Sequence, residues 1–421
     1  MTGDIYQKPK LLFFRNFSIA LVYVVGFFVL QYVLYKSHIV SYFPNESNLT
    51  HWDASWYKSI VDKGYQFNIN SQSNTGFYYL FPAIWGLCHA SVYGISGINI
   101  IFFIAGFSLL SLIYRPRIHV LLLWLTFPAV FYTYIPYSEA LFFLLSTISL
   151  WGIHSGNRLL TWVALFLLSL TRATAIMLMP AFLLMELISN DKKEWRHSAV
   201  KYFIYFFLPM LAGLIVFILI QFRETGVWFA YAIQQSQRWG HKLNQPEFPL
   251  RCSVNPGYTW LAALIVFSCG IATFLLIKIG KQWLKANEMG DKILLISLGY
   301  MAMSLFLLLF INVPSELTGS YRYVMANPFF YVFIFHFTHK MKYCRKDYLL
   351  VFLIATLVWL LFSYKDYQLF LLLSINTAII FLFMLTANRN LLWPYIVLSV
   401  INLFFQIQLY QQFLGGGRIM D

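Results

Sequence analysis

Four places in the chain carry polar side chains that could do chemistry at the edge of apolar segments. Asp53 and Glu139 are carboxylates beside aromatic residues, and Arg172 and Arg322 are arginines at the ends of apolar stretches. A carboxylate can act as a general base and take the proton of an attacking hydroxyl group. Arginines can bind a phosphate and stabilise it as a leaving group. These residue types therefore fit attack of an acceptor hydroxyl on an anomeric carbon that carries a phosphate.

Each of these residues also has a structural explanation. Thr50 and Asp53 have the spacing of a capping box, in which Asp53 would stabilise a helix N-terminus. Glu139 would do the same in the first turn of its own helix. A single arginine at a membrane boundary commonly buries its aliphatic stem and keeps its charge at the interface. None of these structural explanations requires the four side chains to lie close together, whereas a shared role in catalysis does.

The composition places such a site at a membrane. Of the 421 residues, 60% are hydrophobic and 11% are charged, whereas about a quarter of the residues of a soluble domain are charged. Apolar stretches of roughly 17 to 25 residues recur, the length that crosses a ~30 Å hydrocarbon core as a helix. The net charge of +14 gathers in short loops, and the chain has no basic stripe with interleaved stacking aromatics. We therefore expect membrane lipids, and no nucleic acid, as partners.

The chain is predicted to be an all-α polytopic membrane protein forming one integral membrane domain over residues 1–421. Apolar segments predict about thirteen crossings. The first is expected to be a retained span, because it is too long for a signal peptide and lacks a cleavage site. The predicted crossings are 11–35, 96–114, 118–133, 137–153, 158–171, 173–188, 201–222, 257–279, 293–311, 322–338, 348–364, 367–387 and 391–410.

Basic residues predict the orientation. Lys8 and Arg15 near the N-terminus favour a cytoplasmic start, and alternation then places the basic loops 189–200 and 339–347 inside. Two large segments, 36–95 and 223–256, then face outward, so a site built from them lies on the non-cytoplasmic side.

The first outer segment is expected to contain interfacial or re-entrant helices. Residues 77–95 are apolar but broken by Pro82, and counting them as a crossing would reverse every later loop. Trp52, Trp56 and Ile60 have the spacing of an apolar stripe that would lie at the membrane interface. The aromatic run 77–82 is typical of an interfacial anchor.

Candidate substrate-binding residues lie beside the carboxylates and in the second outer segment. They are Glu139, Arg172, Arg322, Trp52, Tyr57, Tyr137, Arg238 and His241.

Two signatures resemble the GPI mannosyltransferase II (PIG-V) family and its prokaryotic relatives. The first is similar to that family's first luminal loop, and the second to its next signature, followed by Arg172 as the arginine after a helix pair. The residues are Trp52-Asp53-x-x-Trp56-Tyr57-x-x-Ile60-x-x-x-Gly64-Tyr65 with Phe81-Pro82, and Pro128-Ala129-x-Phe131 with Tyr137-Ser138-Glu139-Ala140-Leu141-Phe142.

The resemblance implies a GT-C type glycosyltransferase fold and an inverting transfer from a polyprenyl-phosphate sugar, in that family mannose from dolichyl phosphate mannose. It implies that Asp53 is the catalytic acidic residue and that Glu139 and Arg172 are motif residues. The chain departs from the family at Trp56-Tyr57, which replace a His/Tyr-Phe pair, and at Gln66 and Asn68, where an acidic residue is common. These departures concern the acceptor, which is expected to be a lipid or a glycan.

No cofactor or metal is expected. The four cysteines have no CxxC or Cys/His spacing, so neither a structural disulfide nor a zinc site is predicted. The outer segments also lack an Asp-x-Asp pair, and a single phosphate can be bound by arginine alone.

Other functions remain open on the sequence alone. A transporter or lipid flippase typically shows repeats and charges near the midplane, neither of which is evident. A non-catalytic subunit of a larger assembly, working with a partner subunit, would keep the fold without the chemistry. Another GT-C enzyme would transfer arabinose, glucose or an amino sugar. The host membrane is expected to be the plasma membrane of a prokaryote or the endoplasmic reticulum of a eukaryote.

Overall fold

The computed structural model describes residues 9–246, 248–250, 256–311, 317, 319–364, 366–389 and 391–417. Every regular element within these ranges is a helix, as the sequence predicts. The α-helices are α1 (Pro9–Lys36), α2 (Glu46–Leu49), α3 (Asp53–Lys63), α4 (Leu80–Leu87), α5 (Val92–Tyr114), α6 (Ile118–Leu125), α7 (Glu139–Ser155), α8 (Arg158–Ser169), α9 (Leu178–Ile188), α10 (Trp195–Tyr202), α11 (Leu208–Thr225), α12 (Ala230–Gln237), α13 (Pro256–Ala286), α14 (Lys292–Phe310), α15 (Ser320–Met325), α16 (Pro328–Phe335), α17 (Arg345–Ser363), α18 (Tyr367–Arg389) and α19 (Trp393–Leu414).

Within the described residues, eight helical segments are long and apolar enough to cross a membrane. The chain is therefore a polytopic membrane protein, in agreement with the prediction from composition. These segments are Pro9–Lys36, Val92–Tyr114, Lys192–Thr225, Tyr258–Ala286, Lys292–Phe310, Arg345–Ser363, Tyr367–Leu385 and Trp393–Leu414.

The remaining predicted crossings coincide with shorter or interrupted helices. The segment 118–133 is divided into α6 and a 3-10 helix at Pro128–Thr133, and 322–338 is divided between α15 and α16. Both breaks precede a proline, which supplies no backbone N–H to continue a helix. At the second break the Asn327 side chain caps α16 by accepting from the backbone N–H of Phe329 at 3.1 Å. These interruptions allow polar side chains to enter an otherwise apolar bundle.

The first outer segment forms short helices packed on the bundle. Helix α4 has 8 residues, too few to cross a bilayer, and α5 begins at Val92, after the connecting residues 88–91. The expectation that Trp52, Trp56 and Ile60 lie on the membrane interface is wrong for α3. Ile60 is buried, and the Trp56 ring stacks on Phe77 with centroids 6.1 Å apart. The stripe packs against protein because the aromatic run at 77–82 provides an apolar surface for it.

The two outer segments are joined to each other by amide side chains. Gln234 Nε2 donates to the Asn68 carbonyl at 2.5 Å, and Gln235 Nε2 donates to the Gly76 carbonyl at 2.9 Å. At the opposite end of the bundle, the Lys192 backbone N–H donates to the Asn287 side chain at 3.0 Å, joining two loops that were both predicted to be cytoplasmic. Segments expected on one side of the membrane are thus in contact with each other.

Candidate functional site

Asp53, Glu139, Arg172 and Arg322 meet in a single ion-pair network. Arg322 Nη2 lies 2.5 Å from Asp53 Oδ2, and Arg172 Nη1 lies 2.5 Å from Glu139 Oε1. Arg322 Nε also donates to Glu139 Oε1. Arg322 and Asp53 are 269 positions apart in the sequence, so tertiary packing alone brings them together.

The local backbone directs Asp53 into this network. Asp53 is the first residue of α3, and the capping box predicted with Thr50 does not form, because the Thr50 hydroxyl donates to the carbonyls of Glu46 and Ser47. Trp52 precedes Asp53 with φ of 57° and ψ of −121°, a conformation that side chains with a Cβ seldom adopt. The surrounding packing holds this strained entry into the helix.

Glu139 holds both arginines through one oxygen. It is the first residue of α7, its side chain is 1% exposed, and Oε1 accepts from Arg172 and Arg322. Its second oxygen, Oε2, has no hydrogen-bond partner among the described residues. Glu139 therefore orients the guanidinium groups of Arg172 and Arg322.

Arg322 is enclosed by aromatic rings. Its guanidinium lies 4.6 Å from the Tyr137 ring centroid and 5.3 Å from that of Tyr132, distances at which cation–π attraction operates. The side chain is 2% exposed, which excludes the snorkelling explanation. Its Nη1 is buried without a partner in the described part of the chain and so keeps free donor capacity. The preceding turn, predicted as 314–320, lies outside the described residues at 314–316 and 318.

The network contains two positive and two negative side chains. In a site of low dielectric such mutual pairing compensates for the loss of water around each charge. A phosphate that binds Arg322 through both terminal nitrogens therefore uses the free Nη1 and replaces Asp53 at Nη2.

An open cleft leads to these charged groups. It has a volume of about 490 Å³. Its lining includes the charged residues Asp53, Arg172 and Arg322. It also includes Phe77, Gln235, Ser236, Trp239 and His241 from the two outer segments.

Tyr57 and Tyr137 are part of the site. Tyr57 lines the cleft, and its hydroxyl lies 2.8 Å from Ser138 Oγ. Burial, and to a smaller degree the Asp53 charge, hold the pKa of Tyr57 well above its usual value, so it is a neutral hydrogen-bonding group. The Tyr137 ring faces Arg322, and its hydroxyl donates to the His51 carbonyl at 3.3 Å.

The other predicted binding residues divide between the cleft and its surroundings. His241 lines the cleft. Trp52 and Arg238 do not appear among the cleft-lining residues. Arg238 is exposed, and its Nε donates to the Ile69 carbonyl at 2.6 Å. Arg238 thus fastens the second outer segment to the first.

Several site residues were not identified from the sequence. Tyr132 and Tyr323 contact the arginines, and Gln235 and Trp239 line the cleft. Tyr132 lies four positions after Pro128 of a recognised signature, which was a usable signal. Gln235 and Trp239 had none, because their partners in the first outer segment are distant in sequence.

The described residues can be compared with the predictions about metal and disulfides. In the described ranges no group of three or more His, Cys, Asp or Glu side chains has the arrangement of a metal site. Cys88, Cys269 and Cys344 are free thiols, and Cys252 lies outside the described residues.

Comparison with known proteins adds no assignment: no family model, curated protein or solved structure matches this chain significantly.

Proposed function

We propose that the chain is a GT-C type glycosyltransferase that transfers a sugar from a polyprenyl-phosphate donor to an acceptor hydroxyl on the non-cytoplasmic face. The resemblance of the two signatures favours mannose as the sugar. The proposal counts the shorter and interrupted apolar helices among about thirteen crossings, because local thinning of the bilayer accommodates a segment shorter than the hydrocarbon core.

The observation that carries the proposal is the ion-pair network of Asp53, Glu139, Arg172 and Arg322 beside an open cleft. In the proposed reaction, Asp53 takes the proton of the acceptor hydroxyl as its oxygen attacks the anomeric carbon. The bond between that carbon and the phosphate oxygen breaks, and polyprenyl phosphate leaves with the electron pair. Arg322 and Arg172 stabilise the charge that develops on the leaving group. Attack from the side opposite the phosphate inverts the anomeric centre.

The ion pair between Asp53 and Arg322 determines the order in which donor and acceptor bind. While Arg322 Nη2 donates to Asp53 Oδ2, that carboxylate oxygen is occupied and the acceptor hydroxyl cannot donate to it. A donor phosphate that binds the guanidinium takes the place of the carboxylate, and Asp53 then becomes available to the acceptor hydroxyl. The donor therefore binds first.

The test is transfer by purified protein in proteoliposomes, supplied with polyprenyl-phosphate sugars labelled in the sugar and with candidate acceptors. We expect labelled product together with one free polyprenyl phosphate per transfer. Movement of the intact sugar lipid across the bilayer without cleavage would instead identify a flippase. Mass analysis of lipids and glycans that accumulate when the gene is deleted would supply the natural substrates.

A further inference from the structure

The residues that line the cleft fall into two chemical groups. Asp53, Arg172 and Arg322 carry full charges, whereas Phe77, Gln235, Ser236, Trp239 and His241 include no carboxylate, ammonium or guanidinium. This second group combines rings with hydrogen-bonding side chains.

Hydrogen bonds determine which atoms of Gln235 and His241 are donors and which are acceptors. Gln235 Nε2 donates to the Gly76 carbonyl at 2.9 Å, so Oε1 is the acceptor end of the amide and contacts His241 Nδ1. His241 Nδ1 must therefore carry the hydrogen, which leaves Nε2 as an acceptor. Burial lowers the pKa of His241, so the imidazole is neutral at pH 7. The Ser236 hydroxyl is a further neutral group that lines the cleft.

The Trp239 ring is held rigidly in place. It makes edge-to-face contacts with Trp56 and Phe77, with centroids 6.0 and 5.7 Å away. Its Nε1 edge lies so close to Gly76 that a Cβ there would be 2.7 Å from the nitrogen. A flat aromatic surface fixed in this way binds a ligand ring with little loss of conformational entropy.

We propose that Trp239, Gln235 and His241 form a binding subsite for a neutral pyranose ring. The C–H face of a pyranose is apolar and packs against an indole, while its hydroxyls both donate and accept hydrogen bonds. Trp239, Gln235 and His241 offer no cation to a phosphate or carboxylate, and an acyl chain would leave the acceptor nitrogen Nε2 of His241 without a partner at a cost in free energy. The inference rests on the proposed function in one respect: the bound ring supplies the hydroxyl that Asp53 deprotonates, so the acceptor is a glycan.

The experiment measures binding rather than transfer. Methyl glycosides of mannose, glucose, galactose and N-acetylglucosamine are titrated against the full-length protein in nanodiscs, with saturation-transfer NMR as the readout. We expect at least one of them to bind, and Trp239→Ala to weaken its binding about tenfold or more, equivalent to ~1.4 kcal/mol. His241→Ala should weaken binding in the same direction if Trp239→Ala does not fold. The matched control is Trp228→Ala, because Trp228 lies in the same outer segment, is 50% exposed and stacks on Phe222.

The outcomes separate the subsite from the transferase. Failure of the wild-type protein to bind any of the glycosides, or equal weakening by Trp228→Ala, would overturn the subsite. Glycoside binding that depends on Trp239 would support it even if no polyprenyl-phosphate sugar is ever cleaved, a result that would overturn the transferase alone. Transfer to a lipid or protein hydroxyl without glycoside binding would overturn the subsite and leave the transferase.

Discussion

Asp53 stands at the first position of α3, where a carboxylate either stabilises the helix or reacts. An Asp that only favours a helix N-terminus needs no partner outside its own turn. Asp53 instead bonds to Arg322 of α15, and the Thr50 side chain that would complete the cap is bonded elsewhere. The contacts therefore favour a chemical role.

We predict that Asp53→Asn lowers the transfer rate by about 10² to 10⁴, because the amide keeps the shape of the carboxylate but accepts no proton. The donor KM should not rise, since the amide competes less than the carboxylate for Arg322. Steady-state transfer kinetics measure both constants. The control is Asp62→Asn on the same helix, since Asp62 is about half exposed and, among the described residues, pairs only with Lys58 at 2.7 Å. Near wild-type transfer by Asp53→Asn would return Asp53 to a structural role.

Arg322→Lys should weaken apparent donor affinity by roughly ten- to a hundredfold, the equivalent of losing a charge-assisted contact of ~1.5–3 kcal/mol. Arg322 bonds Asp53 and Glu139 through separate nitrogens and retains Nη1 for a ligand. A lysine ammonium cannot span these positions with a fixed fork. Donor titration decides the point, with Arg158→Lys as an exposed control distant in sequence. An unchanged donor dependence would exclude Arg322 as a phosphate ligand.

At the scale of elements, the site depends on interrupted helices. Arg322 enters from α15, which begins after Gly319 in the left-handed conformation at φ of 78°, and Tyr132 belongs to the 3-10 helix after α6. Arg172 precedes a further 3-10 turn before α9. Continuous spans would place these side chains along an apolar helix, whereas the interruptions concentrate them at one place.

The contact between Gly76 and Trp239 gives a test at this scale. Gly76→Ala would place a methyl group against an indole that Trp56 and Phe77 prevent from moving. We expect a large loss of transfer activity with the protein still folded, because the change alters the cleft and not the bundle. The matched control is Gly97→Ala in α5, where a Cβ meets nothing within 4 Å, and where alanine favours the helix by about 0.5–1 kcal/mol. Activity assays and thermal melts of both variants provide the comparison, and equal activity would contradict the role given to Trp239.

Elements that depend on interactions between neighbouring residues could be predicted from the sequence, and those that depend on distant residues could not. Long apolar runs predict helices because hydrophobicity and length act locally, and the first segment, predicted at 11–35, forms Pro9–Lys36. The interruption at Pro128 was not predicted, although proline gave a local signal. The contribution of Gln235 and Trp239 to the cleft was not predictable, since Gln235 bonds to Gly76, which is 159 positions away in the sequence. The orientation of Trp56 was misjudged because an interfacial stripe and a protein-packing stripe have the same spacing.

At the scale of the molecule, loop contacts divide the chain into two ends. The first outer segment bonds to the second through Gln234 and Gln235, and Lys192 bonds to Asn287 at the other end. These contacts determine which loops share a side. The excess of lysine and arginine in loops such as 189–200 then predicts which side is cytoplasmic.

Cysteine labelling tests that orientation directly. Cys88 and Cys344 are exposed and Cys252 lies outside the described residues, so all three are first replaced by serine. Single cysteines are then introduced at Asn70 and at Lys193, two exposed positions in the oppositely assigned loops. In sealed, oriented cells an impermeant maleimide should label position 70 and leave position 193 unlabelled until the membrane is permeabilised, because the bilayer separates the loops. The reverse pattern would place the cleft on the cytoplasmic side, and a lipid-linked sugar donor would then have to be presented to it from the inner leaflet.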